Sequence, residues 1–373
     1  MKRSIETHIK KDLSKKIILL SGPRQVGKTT LSKMMSNNYD YFNYDSAQDR
    51  LAVLEKSWDR KKELIIFDEL LKMNNWKGWL KGVYDTEKRP PHLFVTGSAR
   101  LDTIRKVGDS LAGRFFRFRL HPIDVKEAIA VCSPDEALER IMKTGGFPEP
   151  FLENDEVFYK RWKKTHLDII LRQDLVDLET VSDIKSIETL IELLRHRVGS
   201  TVSYSNLAND LQKDPKTVKR WLIILENLFI IFPVTPFHKK ITRAITKEPK
   251  YYFFDTGQVV GDEGVVFENA VACAFLKEIH KKEDVLGVDG KLHFIKNKDK
   301  KEIDFAISQD GEITHLIETK LSDNNLSRNF SSFEKYFPES EKIQLVKNLS
   351  REKTYPTGEI ILKASDFLAE LKL

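Results

Sequence analysis

SGPRQVGKTT, residues 21–30, decides how the first half of this chain is read. The apolar run IILL at 17–20 stands before it and helix-forming LSKMM after it. A buried strand therefore feeds a helix through a tight turn. Gly22, Gly27, Lys28 and Thr29 satisfy the spacing G-x-x-x-x-G-K-[ST] of a phosphate loop. The glycines let the segment from Gly22 through Pro23, Arg24, Gln25, Val26 and Gly27 to Thr30 close round a phosphate. The new helix points its positive end at that phosphate. Lys28 reaches the β- and γ-oxygens and Thr29 holds Mg²⁺. The expected ligand is ATP with Mg²⁺.

A second element should bring the acid on the metal side. ELIIFDE supplies it, an apolar strand ending in Asp68 and Glu69. Asp68 is expected to bind Mg²⁺, and Glu69 to orient or deprotonate the attacking water. HLFVTGSA gives a third strand ending in Thr96, Gly97 and Ser98. Ser98 either senses the γ-phosphate or caps a helix. Strands at 17–20, 64–67 and 92–95 with helical stretches between them read as a parallel α/β sheet. Past them comes SLAGRFFRFRL. Arg114 there is a candidate for stabilising charge on a transferred phosphoryl group, or a surface arginine beside a strand.

These segments, GPRQVGKTTL, NYDSAQDR, LIIFDE, WKGWLKGVYD, VTGSAR and SLAGR in that order, resemble an AAA+-type P-loop ATPase family of bacteria and archaea. Its members carry a C-terminal domain of unknown function that looks like a PD-(D/E)xK nuclease. The resemblance implies ATP hydrolysis and a homo-oligomer in which Arg114 acts on a neighbouring subunit's nucleotide. It departs at one place: Asp-Glu-Leu-Leu stands where the family usually has Asp-Glu-Ile-Gln.

Residues 126–200 alternate helical patterns around the break GGFPEP and look like lid helices. SYSNLANDLQKDPKTVKRWLIILENLFIIFPV then gives helix, turn, helix, strand, a winged-helix outline over 201–245. Its second helix opens with Lys216, Thr217, Lys219 and Arg220, which could meet DNA phosphates or form an ordinary solvated face.

Residues 246–373 hold the segment KEIDFAISQDGEITHLIETK, two alternating runs about a Gln309-Asp310-Gly311 turn. A two-residue Asp310-Gly311 turn would set Asp304 opposite Ile317, away from Glu318. A three-residue loop would set Glu302 opposite Glu318, with Asp304 diagonal to it on the same face. The expectation is the three-residue loop. Three acids on one sheet face repel unless a cation intervenes, and carboxylate oxygens suit Mg²⁺ or Mn²⁺. The nuclease resemblance assigns Asp304 as the first motif acid, Glu318 and Lys320 as E-x-K, and Glu268 as the upstream helix acid. It makes Glu268, Asp304 and Glu318 a metal site beside a catalytic Lys320, to which the hairpin register adds Glu302. Ile303 stands where the motif name has proline. A solvated hairpin with internal ion pairs, or a nuclease fold without activity, would look the same in sequence.

The totals agree with a cytoplasmic multidomain protein. The chain has 373 residues, 32% of them charged, with a net charge of +6. That excess permits a nucleic-acid partner without requiring one. Two distant cysteines, Cys132 and Cys273, make a disulfide framework improbable. No signal peptide and no membrane span are expected. The fold class predicted is α/β: a P-loop sheet (1–125) with helical lid, a winged helix and a restriction-endonuclease-like α/β domain. The function predicted is Mg-dependent ATP hydrolysis coupled to a nuclease-like domain acting on nucleic acid. The alternative is an ATP-controlled switch whose nuclease-like domain only docks a partner.

Overall fold

A computed structural model describes residues 1–87, 90–98, 111–175, 183–238, 248–322 and 325–373. After helix α1 (Glu6–Leu13) the chain enters β1 (Ile17–Ser21), every residue of which is buried. The phosphate loop leads into α2 (Lys28–Lys33). β2 (Tyr39–Asn43), α3 (Ala47–Glu55), β3 (Leu64–Asp68), α4 (Trp76–Thr86), β4 (His92–Gly97) and β5 (Phe115–Arg119) follow. The strands form one all-parallel sheet in the order β2-β3-β4-β1-β5. Continuous apolar runs suit this, since helices cover both faces of a parallel sheet. Placing β4 between β1 and β3 brings the C-terminal ends of all three together, and Gly22, Asp68 and Ser98 lie at that edge.

The middle of the chain is helical: α5 (Val125–Ala128), α6 (Pro134–Thr144), α7 (Pro148–Glu153) and α8 (Glu156–Ile169). α8 runs on as a π-helical turn over Ile170–Asp174. α9 (Ile184–Arg195), α10 (Tyr204–Leu211) and α11 (Pro215–Asn227) come next. Gln212 takes a left-handed φ of 54° to turn α10 into α11, and Asp214 caps α11 through the Lys216 N–H. The described part of this helical stretch reaches well past the lid expected at 126–200.

The strand expected after the two helices of the winged-helix outline also enters a larger sheet. β6 (Ile231–Pro236) pairs antiparallel with β7 (Lys250–Phe253) and parallel with β8 (Gly290–Lys296). It is thus part of one eight-stranded sheet in the order β12-β13-β11-β10-β9-β8-β6-β7. The boundary expected at 245 lies outside the described residues, between two strands that pair. α12 (Glu263–Leu286), 24 residues long, packs on this sheet and on β5. β9 (Glu302–Gln309), β10 (Glu312–Lys320), α13 (Asn329–Phe333), β11 (Glu341–Val346), β12 (Lys353–Thr354), β13 (Ile360–Lys363) and α14 (Ala364–Ala369) complete the chain. One hydrophobic core runs from Ile123 in the middle segment to Leu373, so the middle and C-terminal segments share an interior. No described helix is long and apolar enough to cross a membrane.

Candidate functional site

The phosphate loop needs its glycines. A Cβ at Gly22 would lie 2.3 Å from the Leu120 carbonyl oxygen, and Gly27 holds φ at +98°. Gln25 is also left-handed, at 62°. The loop curls round the Lys28 ammonium, which donates to the carbonyls of Gly22 (2.9 Å) and Pro23 (2.7 Å). Burial pushes the Lys28 pKa down, against the opposing charges of Glu69 and Asp68. A buried cation held only by neutral carbonyls is an anion site.

Asp68 is enclosed by hydroxyls. Its Oδ2 accepts from Thr29 (2.8 Å) and from Tyr41 (2.6 Å), and its Oδ1 accepts from Thr96. Thr29 and Asp68 therefore meet where a Mg²⁺ would be held, and their oxygen donors suit that ion. Glu69 takes a left-handed φ of 54° and turns back toward Ser98, whose N–H and hydroxyl reach its Oε2 at 3.4 and 3.3 Å. Burial, resisted by Lys28, raises the Glu69 pKa, which suits a base. Ser98 is thus a partner of Glu69. Thr30 is exposed on the first turn of α2.

Four residues at this site carry no sequence signal: Arg3, Tyr41, Asp174 and His166. Arg3 donates to the carbonyls of Val26 (3.0 Å) and His121 and pairs with Glu127 at 2.8 Å. Tyr41 reaches Asp68 from the neighbouring strand. Asp174, at the end of the π-helical turn, pairs with Arg24 at 2.6 Å, and His166 donates to the Arg24 carbonyl at 3.1 Å. Only the tertiary fold brings them in.

Arg114, expected to serve a neighbouring subunit's nucleotide, is found away from its own. Its carbonyl bonds the N–H of Ile17, the first residue of β1, so it lies at the opposite end of the sheet from its own phosphate loop. Its guanidinium is tied to Asp85 at 2.8 and 3.1 Å. Parallel pairing of β5 with β1 fixes this, because a residue just before β5 must sit at the strands' N-terminal end.

The hairpin corrects one expectation. Its turn has two residues, Asp310 (φ 49°) and Gly311 (φ 89°), with Gln309 against Glu312. Asp-Gly favours this turn, whose twist matches the strands. Yet Asp304 does not point away from Glu318. The ladder slips by one residue between Ile313 and His315, and beyond it Ile317 faces Phe305. The extra residue is Thr314, whose hydroxyl donates to the Ile307 carbonyl at 3.1 Å. The bulge thereby brings Asp304 to Glu318 and Thr319. Asp304 Oδ2 accepts from the Thr319 N–H (2.8 Å) and hydroxyl (3.0 Å). Burial, then the Asp304 charge, push Glu318 up to about 7. Asn329 (2.9 Å) and Lys320 (3.3 Å) hold its two oxygens.

Glu302 does not face Glu318. It pairs with Lys250 at 2.6 Å and Lys296 at 2.8 Å. Glu268 accepts from Tyr252 at 2.6 Å and lies 3.6 Å from Lys250. Lys250 therefore lies between Glu268 and Glu302, while burial, resisted by Lys250, raises the Glu268 pKa and the Asp304 charge adds to that rise. Lys250 is buried, and nothing in the sequence marks it. Among the described residues no three His, Cys, Asp or Glu side chains gather closely enough to hold a metal ion.

Residues 14–129 match the AAA domain family. Residues 135–260 and 263–366 match two domains of unknown function, DUF8612 and DUF4143. The uncharacterized protein Rv2008c of Mycobacterium tuberculosis is 26% identical over 245 residues, covering 65% of this chain and 54% of that protein. The chain thus spans about half the length of its mycobacterial relatives. The uncharacterized protein MJ1544 of Methanocaldococcus jannaschii is 27% identical over 360 residues, covering 86% of this chain and 78% of that one. A solved structure, the signal transduction ATPase with a tetratricopeptide repeat sensor PH0952 from Pyrococcus horikoshii, is 13% identical. It covers 77% of this chain and 48% of that one at a TM-score of 0.23, too low to carry an argument. The AAA match, with the parallel sheet and loop geometry, supports a P-loop NTPase fold and ATP binding.

Proposed function

We propose that the chain is a Mg-dependent ATPase whose nucleotide site controls its C-terminal half. The observation that carries this is the convergence of Lys28, Thr29, Asp68 and Glu69 at one sheet edge, with Thr29 and Asp68 in contact. Bound Mg²⁺, held by Thr29 and Asp68, would neutralise charge on the phosphates. Lys28 would exchange its carbonyl partners for phosphate oxygens, and Glu69 would take the proton of the attacking water. Titration of a fluorescent ATP analogue tests it. Lys28→Ala should weaken binding roughly a hundred-fold, the loss of a charge-assisted contact to a multiply charged ligand. Equal affinity in Lys28→Ala and the wild type would remove the loop from nucleotide binding. Arg114, remote from its own loop, could serve only a neighbouring subunit. Restored turnover in mixtures of Lys28→Ala and Arg114→Ala proteins would support this, and its absence in a monomeric wild type would end it.

For the C-terminal half, two readings differ. In the first, Asp304 and Glu318 hold one Mg²⁺ or Mn²⁺ beside Lys320 and the domain cuts nucleic acid. Register shifts on both sides of Asp304, in the β10 and the β8 ladders, favour it, because bulges re-aim side chains next to active sites. A fold of α9, α10 and α11 followed by paired β6 and β7, with Thr201 bridged to Lys250, supports a winged helix that presents exposed Lys216, Lys219 and Arg220 to DNA. In the second reading the domain docks a partner without cleavage. The place of Lys250 between Glu268 and Glu302 favours it. Single- and double-stranded DNA and RNA incubated with Mn²⁺ separate the two. Cleavage lost in Asp304→Ala and Lys320→Ala with ATP hydrolysis intact supports the first, and Mn²⁺ binding without cleavage supports the second.

A further inference from the structure

Arg24 is the loop residue held most firmly from outside the loop. Its guanidinium donates to Asp174 at 2.6 Å, and its carbonyl accepts from His166 at 3.1 Å. Both partners belong to one helical run, α8 and its π-helical extension. His166 stacks on Trp162 with ring centres 4.4 Å apart, and burial pushes its pKa down to about 4, so it is a neutral donor. Asp174 is buried at the last residue of the π-helical turn, a wide and rare geometry that recurs at functional sites.

The place of the Arg24–Asp174 pair decides its meaning. Lys28 marks where β- and γ-phosphates lie, and Glu69 marks the side from which water attacks the γ-phosphorus. Arg24 directly follows Pro23, whose carbonyl, with that of Gly22, holds the Lys28 ammonium at 2.7 and 2.9 Å. The Arg24–Asp174 pair is therefore attached to the same turn of the loop that Lys28 marks. A γ-phosphate arriving there would meet a buried anion of its own sign and a guanidinium whose fork fits phosphate as well as carboxylate. A phosphate that takes the fork with two parallel N–H bonds would compete with Asp174 for the Nη1 group that now holds it.

We propose, resting on the nucleotide reading above, that Arg24 is the residue that distinguishes ATP from ADP, and that Asp174 is a placeholder the γ-phosphate displaces from it. ADP leaves the Arg24–Asp174 pair in place. ATP takes Arg24 over, and Asp174 with its π-helical turn is released from the loop. The event that reports the third phosphate is thus an exchange of partners on one guanidinium, and it is passed directly to α8.

The experiment uses the full chain carrying Glu69→Gln, so that ATP persists, with Mg²⁺ and fluorescent ATP and ADP analogues. In Arg24→Ala the ATP affinity should fall about ten-fold while ADP affinity stays within about two-fold, the scale of one charged hydrogen bond. Asp174→Asn should raise ATP affinity several-fold and leave ADP unchanged. Arg24→Lys should fall between, keeping charge but losing the fork. Hydrogen exchange over residues 156–175 should quicken with ATP and not with ADP. A merely structural role would shift both nucleotides alike. Equal shifts for ATP and ADP in these variants, or none for ATP, would overturn the proposal. Should Arg24→Ala fail to fold, Arg24→Lys and Asp174→Asn carry the same test. A background protein that binds neither nucleotide would overturn the nucleotide reading itself, a separate outcome.

Discussion

At the end of β3 and again along β9 and β10, the chain buries carboxylates beside a lysine, yet it balances them differently. Near β3, Lys28 donates to the backbone carbonyls of Gly22 and Pro23, and Asp68 is wrapped in hydroxyls. Around β9, Lys250 lies directly between Glu268 and Glu302, and their charges hold its pKa up against burial. In the first, among the described residues, the ammonium bonds only carbonyls and the nearby acids do not pair with it directly, so an outside anion can complete it. In the second the chain supplies the counter-ion. Similar residue types thus describe a site built for a ligand and a site partly closed by its own side chain, and only the pairing tells them apart.

The strongest way to break this comparison is Lys250→Met. It should cost about 2–4 kcal/mol of stability by leaving the half-buried Glu268 without its cation and Glu302 with Lys296 alone. Chemical denaturation measures it, and a second change, Glu268→Gln, should recover part of the loss. A cost below about 1 kcal/mol would mean that Lys250 does not balance the cluster. Glu69→Gln sharpens the other side. Hydrolysis should slow on the order of a thousand-fold with ATP affinity nearly unchanged, as expected for removal of a general base. Single-turnover kinetics decides it, and normal turnover would take Glu69 out of that role.

The link between the regions should respond to pH. Burial would raise the Glu127 pKa, but Arg3 and Lys277 outweigh it and hold Glu127 at about 2. Because that value is below the ordinary one, the contribution is present above about pH 4.5 and is lost as pH falls toward about 2. It amounts to about 3 kcal/mol in full. Glu127→Gln should remove that part of the acid dependence, seen as a flatter plot of melting temperature below pH 4.5. The smallest effect is expected from Tyr41→Phe. Losing one hydrogen bond to Asp68 should raise the Mg²⁺ concentration needed for tight ATP binding by a few-fold, about 1 kcal/mol, with metal-free binding unchanged.

What the sequence disclosed follows from how local each feature is. The loop from Gly22 to Thr29 is one contiguous backbone shape, so its residues are readable in order. Asp68 and Glu69 end an apolar run, which is nearly as local. Arg3, Tyr41 and Asp174 lie 23, 27 and 150 positions from Val26, Asp68 and Arg24, which they serve, and Lys250 lies 18 from Glu268. Nothing nearby marks any of them. The hairpin was half legible. Asp310-Gly311 predicts the turn, but Thr314-His315, two polar residues where alternation asks for one, is the mark of the bulge that brings Asp304 to Glu318. Which end of its strand Arg114 occupies was not legible, because composition near a glycine says nothing about the direction of a parallel strand.

Arg3 grips the carbonyl of Val26, Glu127 grips Arg3, and Lys277 on α12 grips Glu127 at 2.7 Å. On the ribosome these parts emerge far apart in time. The glycine loop can take its shape early, but the clamp behind it waits for a lysine some 250 positions later. A nascent chain halted before α12 would carry every residue of the nucleotide motif with its rear support unfinished. The loop's full support therefore arrives late in synthesis, once α12 has reached Lys277.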